Sequence, residues 1–166
     1  AVAQGVVDEI VAAGGRAVAD TNSVATSEGA AAIVQTALDQ FGKLTVLVNN
    51  AGTIAYARLP EIGDADWRRM LSVTLDGAFH MSRAAWPLMA AQGYGRIVNT
   101  TSNAGFAGNE TLAHYGAAKL GVAGLTKCMA QEVADSGICV NAVAPMAVTR
   151  MNREAFFGGA VVEGEN

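Results

Sequence analysis

The chain has 166 residues, which is enough for one domain with a sizeable core. Its formal net charge of −4 excludes the basic surface typical of nucleic-acid-binding proteins, so we expect no nucleic-acid partner. Only 16% of its residues are charged, yet every apolar run falls short of the ~20 residues that cross a bilayer, so we expect no membrane partner either.

The first part of the chain predicts two helices and two strands in alternation. Residues 2–13 have helical patterning, and residues 16–19 are a candidate for a short strand. A second helix is predicted to begin after the cap Thr26 and to continue to Phe41. The β-branched apolar run at 44–48 has the length of a strand.

The remainder continues the same alternation with longer helices. Residues 65–90 predict a long helix, and residues 96–101 predict a strand that leads into a Gly- and Asn-rich loop at 102–111. A second long helix is predicted at 112–135, and a last strand at 138–144.

Strands that alternate with helices indicate an α/β fold with a doubly wound parallel sheet. In such sheets a ligand binds outside the carboxyl ends of the strands. Three predicted strands are followed by polar or turn-forming residues, namely Asn49–Gly52, Ser102 and Pro145. We therefore expect these residues to meet at one edge of the sheet.

Ser102, Tyr115 and Lys119 have the side chains of a proton-transfer site. Tyr115 and Lys119 are four residues apart in a predicted helix, so they share one face. A phenol has a pKa near ~10, and a neighbouring ammonium lowers that pKa because it favours the phenolate. The Ser102 hydroxyl is a candidate for holding a carbonyl oxygen. The pattern predicts proton exchange with an alcohol oxygen near neutral pH.

Each of these residues also has a purely structural interpretation. Tyr115 could be a packed helix aromatic, Lys119 a solvated surface lysine and Ser102 the cap of a loop. Asn50 could simply close the turn after its strand, since asparagine favours turns. We interpret His114 as a structural or substrate-pocket residue, because adjacent helix residues point about 100° apart.

The two cysteines, Cys128 and Cys139, have neither metal-site nor disulfide spacing. We predict that both are small hydrophobic residues of the core, in a chain that resides in the reducing cytoplasm.

The two long predicted helices, 65–90 and 112–135, are apolar over more than the stripe that one sheet face can cover. They predict a homodimer or homotetramer in which the same two helices of another copy supply the second apolar partner. His80 is then expected in that interface.

Four motifs in this order resemble the short-chain dehydrogenase/reductase family. They are LVNNAG at 47–52, GRIVNTTS at 95–102, HYGAAKLGVAGLT at 114–126 and VNAVAP at 140–145. The resemblance covers nearly the whole chain. APMAVTRM at 144–151 is similar to the branch near multifunctional hydroxyacyl-CoA and steroid dehydrogenases.

The resemblance implies an NAD- or NADP-dependent oxidoreductase with an incomplete Rossmann-like fold, which interconverts a small-molecule secondary alcohol and a ketone by hydride transfer. It implies that Tyr115 is the general acid/base, that Lys119 lowers the tyrosine pKa and holds the nicotinamide ribose, and that Ser102 binds the substrate oxygen. The family's cofactor contacts fall on Ser23, Val24, Asn50, Ala51, Gly52, Tyr115, Lys119, Pro145 and Val148.

Two residues depart from the family pattern. Thr74 stands where many members have an asparagine that orders a relay water, and its shorter side chain is expected to bond its own helix backbone. Met146 stands where the family has glycine, and its side chain is expected to narrow the approach to the nicotinamide.

The resemblance also implies family segments beyond both ends of the sequence. The family's first two strands, first helix and Gly-rich pyrophosphate turn, and its last helix and strand, have no counterpart in residues 1–166, so we expect one domain truncated at both ends. In the family, two strands separate 16–19 from 44–48. The chain is then a fragment, a sequence that omits residues, or a protein in which 16–19 pairs directly with 44–48.

Two functions remain open on the sequence. The first is the oxidoreductase, or the catalytic half of one. The second is a non-catalytic remnant that acts only as a dimerising interaction module. The choice between NAD and NADP also stays open, because the residue that selects between them lies in the absent family segment.

Overall fold

The computed structural model describes residues 2–146, which contain a three-stranded parallel sheet. The strands are β1 (Val46–Asn49), β2 (Gly95–Thr100) and β3 (Ile138–Val143). They lie side by side in chain order, with Leu47 opposite Ile97 and Ile97 opposite Val140. The predicted α/β fold with a parallel sheet is confirmed, and three of the four predicted strands are present.

Six α-helices accompany the strands within the described residues. They are α1 (Val2–Ala12), α2 (Ser27–Phe41), α3 (Asp64–Leu71), α4 (Gly77–Gln92), α5 (Asn103–Ala107) and α6 (Ala113–Glu132). A short 3₁₀ turn at Leu59–Glu61 precedes α3, and a π turn at Ser72–Asp76 joins α3 to α4. None of the described helices combines the length and the apolar character needed to cross a membrane.

The ends of α2 follow directly from local sequence. The Thr26 side chain accepts a hydrogen bond of 3.1 Å from the Gly29 amide, which satisfies one free donor of the first turn. Gly42 ends the helix with φ +76°, and its amide donates to the Leu38 carbonyl at 2.8 Å. A left-handed conformation of this kind is inexpensive only for glycine.

The hydrophobic core lies between one face of the sheet and helices α2, α4 and α6. Leu47, Ile97 and Val140 point from the three strands into this core, and Ala85 and Met89 of α4 are fully buried in it. On the opposite face, Val46, Val48 and Val143 are 50%, 58% and 45% exposed. Within the described residues the helices therefore cover one face of the sheet, which we call the covered face, and leave an open face.

The predicted strand at 16–19 is not formed. A strand exists only through pairing, and β1 pairs with β2 alone among the described strands. The segment is instead attached by a side chain, because Arg16 donates to the Gln40 carbonyl at 3.0 Å and lies over the Phe41 ring. The suggestion that 16–19 pairs directly with the 44–48 strand is therefore also wrong.

The prediction that both cysteines are core residues is wrong as well. Cys128 and Cys139 are both exposed. Cys139 lies between the buried residues Ile138 and Val140 on β3, so the alternation of the strand turns it to the open face. Cys128 lines a groove between α4 and α6. Helix α6 is apolar on several sides, and the side that carries Cys128 is left uncovered.

Candidate active site

Lys119 is a buried lysine held at the end of β2. Its residue is only 5% exposed, and its ammonium donates a hydrogen bond of 2.7 Å to the main-chain carbonyl of Thr100. Burial lowers the pKa of Lys119 below its ordinary value, because a desolvated ammonium is disfavoured. Its Nζ lies 5.7 Å from the centre of the Tyr115 ring, so the predicted shared helix face is present.

Tyr115 and Ser102 line one cleft of about 560 Å³ at the carboxyl ends of β2 and β3. Tyr115 is half-buried at the start of α6, and Ser102 follows β2. Pro145 and Met146, which follow β3, line the same cleft. The structure thus brings two of the three predicted strand-end groups, Ser102 and Pro145, to one cleft, whereas none of Asn49–Gly52 lines it. Met146 lines the cleft and is 83% exposed.

Ser102 is also the N-cap of α5, a helix that lies inside the loop expected at 102–111. Its hydroxyl oxygen accepts a hydrogen bond of 3.2 Å from the Ala104 amide. The alternative reading of Ser102 as a cap is therefore correct. It does not exclude the substrate role, because a hydroxyl that accepts one hydrogen bond keeps its own hydrogen for donation.

The Asn50–Gly52 loop passes next to Lys119. A methyl group added at Gly52 would lie 3.7 Å from Lys119 Nζ and 3.7 Å from the Thr74 hydroxyl, which places the Gly52 backbone close to both. The Thr100 hydroxyl donates to the Asn50 side-chain oxygen at 3.3 Å, which ties the loop to the end of β2. Asn50 and Ala51 are exposed.

Thr74 does not form the hydrogen bond expected with its own helix backbone. It lies in the π turn and is 2% exposed, and its hydroxyl contacts the Met70 sulfur at 3.9 Å. The wider π turn changes where the preceding carbonyls lie relative to the side chain, so the usual back-bond is replaced by this weak contact. The hydroxyl consequently lies on the side of the Gly52 loop.

The remaining candidate cofactor residues lie elsewhere or outside the description. Ser23 is exposed, and its hydroxyl accepts from the Ala25 amide at 3.2 Å, so it forms a local turn. Val24 packs against Gly77 and the core. Val148 lies outside the described residues.

A buried polar network below the site was missed by the sequence reasoning. Asn49 donates to the Asn99 side-chain oxygen at 2.8 Å and to the Ser82 hydroxyl at 3.0 Å. Asn99, which is completely buried, donates to the Thr126 hydroxyl at 2.8 Å. These bonds join β1, β2, α4 and α6 under the cleft. The alternation of each strand could have indicated that Asn49 and Asn99 point inwards.

A close contact between glycines positions α5 against α6. A methyl group at Gly105 would lie 2.9 Å from the Leu120 amide nitrogen, and one at Gly116 would lie 3.0 Å from the Ala104 carbonyl oxygen. Side chains larger than hydrogen therefore do not fit at either position without movement. Because Ser102 caps α5 and Tyr115 is on α6, this contact sets their separation.

His114 is a buried residue of α6 at 1% exposure, and it is not among the residues that line the cleft. Its ring nitrogen Nδ1 has no hydrogen-bond partner among the described residues. This burial favours the structural interpretation over the substrate-pocket one. Within residues 2–146 there is also no group of three or more metal-ligating side chains.

The family model for short chain dehydrogenases matches residues 1–157. The chain belongs to this family. A short-chain type dehydrogenase/reductase of Mycobacterium tuberculosis is 47% identical over 154 residues, which are 93% of this chain and 54% of the relative. The sequence resemblance is confirmed.

Two further relatives extend the comparison. A peroxisomal hydratase-dehydrogenase-epimerase of Saccharomyces cerevisiae is 44% identical over 146 residues, which are 88% of this chain and 16% of that protein. The crystal structure of a short chain dehydrogenase from Mycobacterium avium matches with a TM-score of 0.83 and 44% identity, over 89% of this chain and 53% of that one. The chain thus spans about half the length of the mycobacterial relatives, and the incomplete Rossmann-like fold is confirmed.

Proposed function

We propose that this chain carries the catalytic half of an NAD(P)-dependent oxidoreductase, which interconverts a small-molecule secondary alcohol and a ketone by hydride transfer. The observation that supports this most directly is the arrangement of Ser102 and Tyr115 on one cleft, with the buried Lys119 ammonium beside the Tyr115 ring. Membership of a family of dehydrogenases gives the same reaction class.

Each of the three residues has a separate task in this reaction. Tyr115 holds the proton that the alcohol oxygen releases or receives. Lys119 supports the phenolate form of Tyr115 electrostatically, because its ammonium attracts the negative charge that forms on the phenol oxygen. Ser102 donates a hydrogen bond to the substrate oxygen and aligns it with the Tyr115 hydroxyl.

The residues present fit the nicotinamide end of the cofactor. Pro145 lines the cleft, the Gly52 backbone passes next to the Lys119 ammonium, and a glycine at position 52 allows a ligand to approach the main chain closely. When bound, the nicotinamide supplies or accepts the hydride. Asn50 and Ala51 continue the same loop, and contacts from Ser23, Val24 and Val148 remain part of the proposal.

A homodimer or homotetramer through α4 and α6 is the second element of the proposal. The groove between these helices has a volume of about 410 Å³ and is lined mainly by apolar residues, among them Phe79, Trp86 and Leu125. Sedimentation at tens of micromolar should give a species larger than the 17.0 kDa monomer. Phe79→Asp should shift it towards the monomer, whereas a monomeric wild type would contradict the proposal.

The replacement of Tyr115 by phenylalanine tests the reaction. Tyr115→Phe removes the only atom of this residue that can exchange a proton, so turnover should fall by about 10²–10⁴-fold. Tyr56→Phe is the matched control, because Tyr56 lines the same cleft and should retain most of the rate. Steady-state rates with NADH and NADPH and a panel of ketones provide the measurement, and the same panel addresses the choice between NAD and NADP.

Full activity of Tyr115→Phe would show that this phenol is not the acid/base. A folded wild-type protein without turnover on any alcohol or ketone would instead support the dimerising module. The predicted cytoplasmic location is also open to experiment, since one relative is named as peroxisomal. Fractionation of cells that express the protein would decide it.

A further inference from the structure

Thr101 is a buried residue with no role in the proposed reaction, yet it contacts the main chain of Lys119. It is 4% exposed and directly follows β2. Its hydroxyl donates a hydrogen bond of 2.6 Å to the main-chain carbonyl of Lys119. The preceding residue, Thr100, accepts the Lys119 ammonium on its own carbonyl at 2.7 Å. Two consecutive residues at the carboxyl end of β2 thus bind the main-chain carbonyl and the side-chain ammonium of Lys119.

The Thr101 side of this contact is fixed by the sheet. The Thr101 amide donates to the Val143 carbonyl at 2.8 Å, which extends the pairing of β2 and β3 by one residue. The Lys119 carbonyl lies inside α6, where the helix ladder already supplies it with a donor. The Thr101 bond is therefore not needed to satisfy that carbonyl, and its effect is to fix the distance between α6 and the end of β2.

We propose that Thr101 is a positioning residue for Lys119. Its hydroxyl sets the depth at which α6 meets β2, and so keeps the Lys119 ammonium against the Thr100 carbonyl and beside the Gly52 loop. The inference rests on the proposed function only for its catalytic meaning, because the geometry that it explains exists without substrate or cofactor. A lysine at the same helix position but farther from β2 would reach water and exchange its carbonyl contact for solvent.

Thr126 provides the matched comparison within the same helix. It is also buried, at 5% exposure, and its hydroxyl donates to the Val122 carbonyl at 2.7 Å, four residues earlier in α6. It also accepts from Asn99, so its loss weakens a contact between β2 and α6. It forms no hydrogen bond with Lys119. Loss of either hydroxyl should destabilise the fold, but only loss of the Thr101 hydroxyl should change the surroundings of the lysine.

The test is a titration of Lys119 by NMR on the full protein with ¹³C-labelled lysine, without cofactor or substrate. Of the lysines in the sequence, Lys43 and Lys127 are exposed and serve as internal references. Tyr115 is the titratable neighbour on the same helix face, and Tyr115→Phe separates its ionisation from that of the lysine. The free energy of unfolding of each variant is measured in parallel.

Thr101→Val should move the midpoint of Lys119 upwards, towards the ordinary value of a lysine, by about half a pH unit or more. Thr101→Ser should restore the wild-type midpoint because it restores the hydroxyl, and Thr126→Val should leave it unchanged. If the Thr101→Val protein does not fold, Thr101→Ala is used in its place and should raise the Lys119 midpoint in the same way. An unchanged or lower midpoint in Thr101→Val and in Thr101→Ala, or an equal shift in Thr126→Val, would overturn the proposal.

The result is distinguishable from failure of the proposed function. If Tyr115→Phe kept its full rate, the reaction assignment would fail while the lysine titration remained measurable. If the reaction assignment holds, Thr101→Val should also shift the alkaline limb of the pH–rate profile. Thr101→Ser should restore that limb, which a loss of stability alone would not explain.

Discussion

Two regions of this molecule differ in how their backbone is held. At the junction of β2 and α6, Lys119, Thr101 and Asn99 are each at most 5% exposed and each is hydrogen-bonded between elements. In α1 no residue is buried, and the link between α1 and α2 is attached by side chains, through Arg16 and through Asp20, which accepts from the Thr36 hydroxyl at 2.6 Å.

The difference shows where precision is required. Proton transfer needs groups held within a fraction of an ångström, and buried contacts between elements supply that restraint. A surface helix without a buried residue has no comparable restraint. Of the candidate catalytic residues, Lys119 lies in the first region, and Ser102 and Tyr115 are half-buried next to it. The two regions should therefore respond differently to the same chemical change, as the following predictions state.

Matched isoleucines give the largest expected contrast. Ile97 of β2 is completely buried in the core, whereas Ile10 of α1 is 40% exposed. Ile97→Ala should reduce the free energy of unfolding by about 2–5 kcal/mol, since it removes packed methyl groups and leaves a cavity. Ile10→Ala should change it by less than about 0.5 kcal/mol. Urea unfolding of both variants provides the measurement, and similar losses would abolish the distinction between the regions.

Matched glycines give the second contrast, in which the change in the free energy of unfolding has opposite signs. Gly105→Ala should lower the free energy of unfolding by about 1–3 kcal/mol, because the added methyl group meets the Leu120 and Gly116 backbones. Turnover should fall as well, since α5 carries Ser102. In α6, Gly124 has nothing within 4 Å of an added methyl group. Gly124→Ala should therefore raise the free energy of unfolding by about 0.5–1 kcal/mol, because glycine loses more conformational freedom than alanine when a helix forms. An unchanged free energy of unfolding in Gly105→Ala would show that α5 and α6 are not closely packed at this contact.

The pH dependence of stability gives the smallest effect and reports on the lysine itself. Burial lowers the pKa of Lys119 below 10.5. The unfolded chain then binds more protons than the folded chain between the lowered value and 10.5, so the free energy of unfolding rises with pH in that interval. Below the lowered value the cost of burying the charge is fully present. Lys119→Met should remove this rise, whereas Lys127→Met at an exposed position should keep it. Equal slopes in both variants would contradict the assignment.

The parts of the fold that the sequence predicts are those fixed by local signals. Thr26 caps the beginning of α2 and Gly42 caps its end, each by a contact within a few residues, so the helix is predicted almost to the residue. The strand at 16–19 depends on a neighbouring strand, and no local signal reports whether one is present. Cys128 lies in a helix that is apolar on several sides, and a pattern of that kind does not say which side is covered.

The site divides in the same way. Tyr115 and Lys119 share a face because of helix periodicity, and Ser102 follows a strand, so their convergence is predictable from the chain. Thr101 and Gly105 act only where α6 meets β2 and α5. Their contribution depends on distances between elements that are far apart in sequence, and the sequence therefore gives no sign of it.

The two exposed thiols place a chemical reporter on each of the uncovered surfaces. Cys128 lies in the groove between α4 and α6, and Cys139 lies on the open face of the sheet. A partner that covers the helices should slow alkylation at Cys128 alone, and one that covers the sheet should slow it at Cys139 alone. A single mass spectrum of the alkylated protein can therefore record which surface is in contact, without any engineered label.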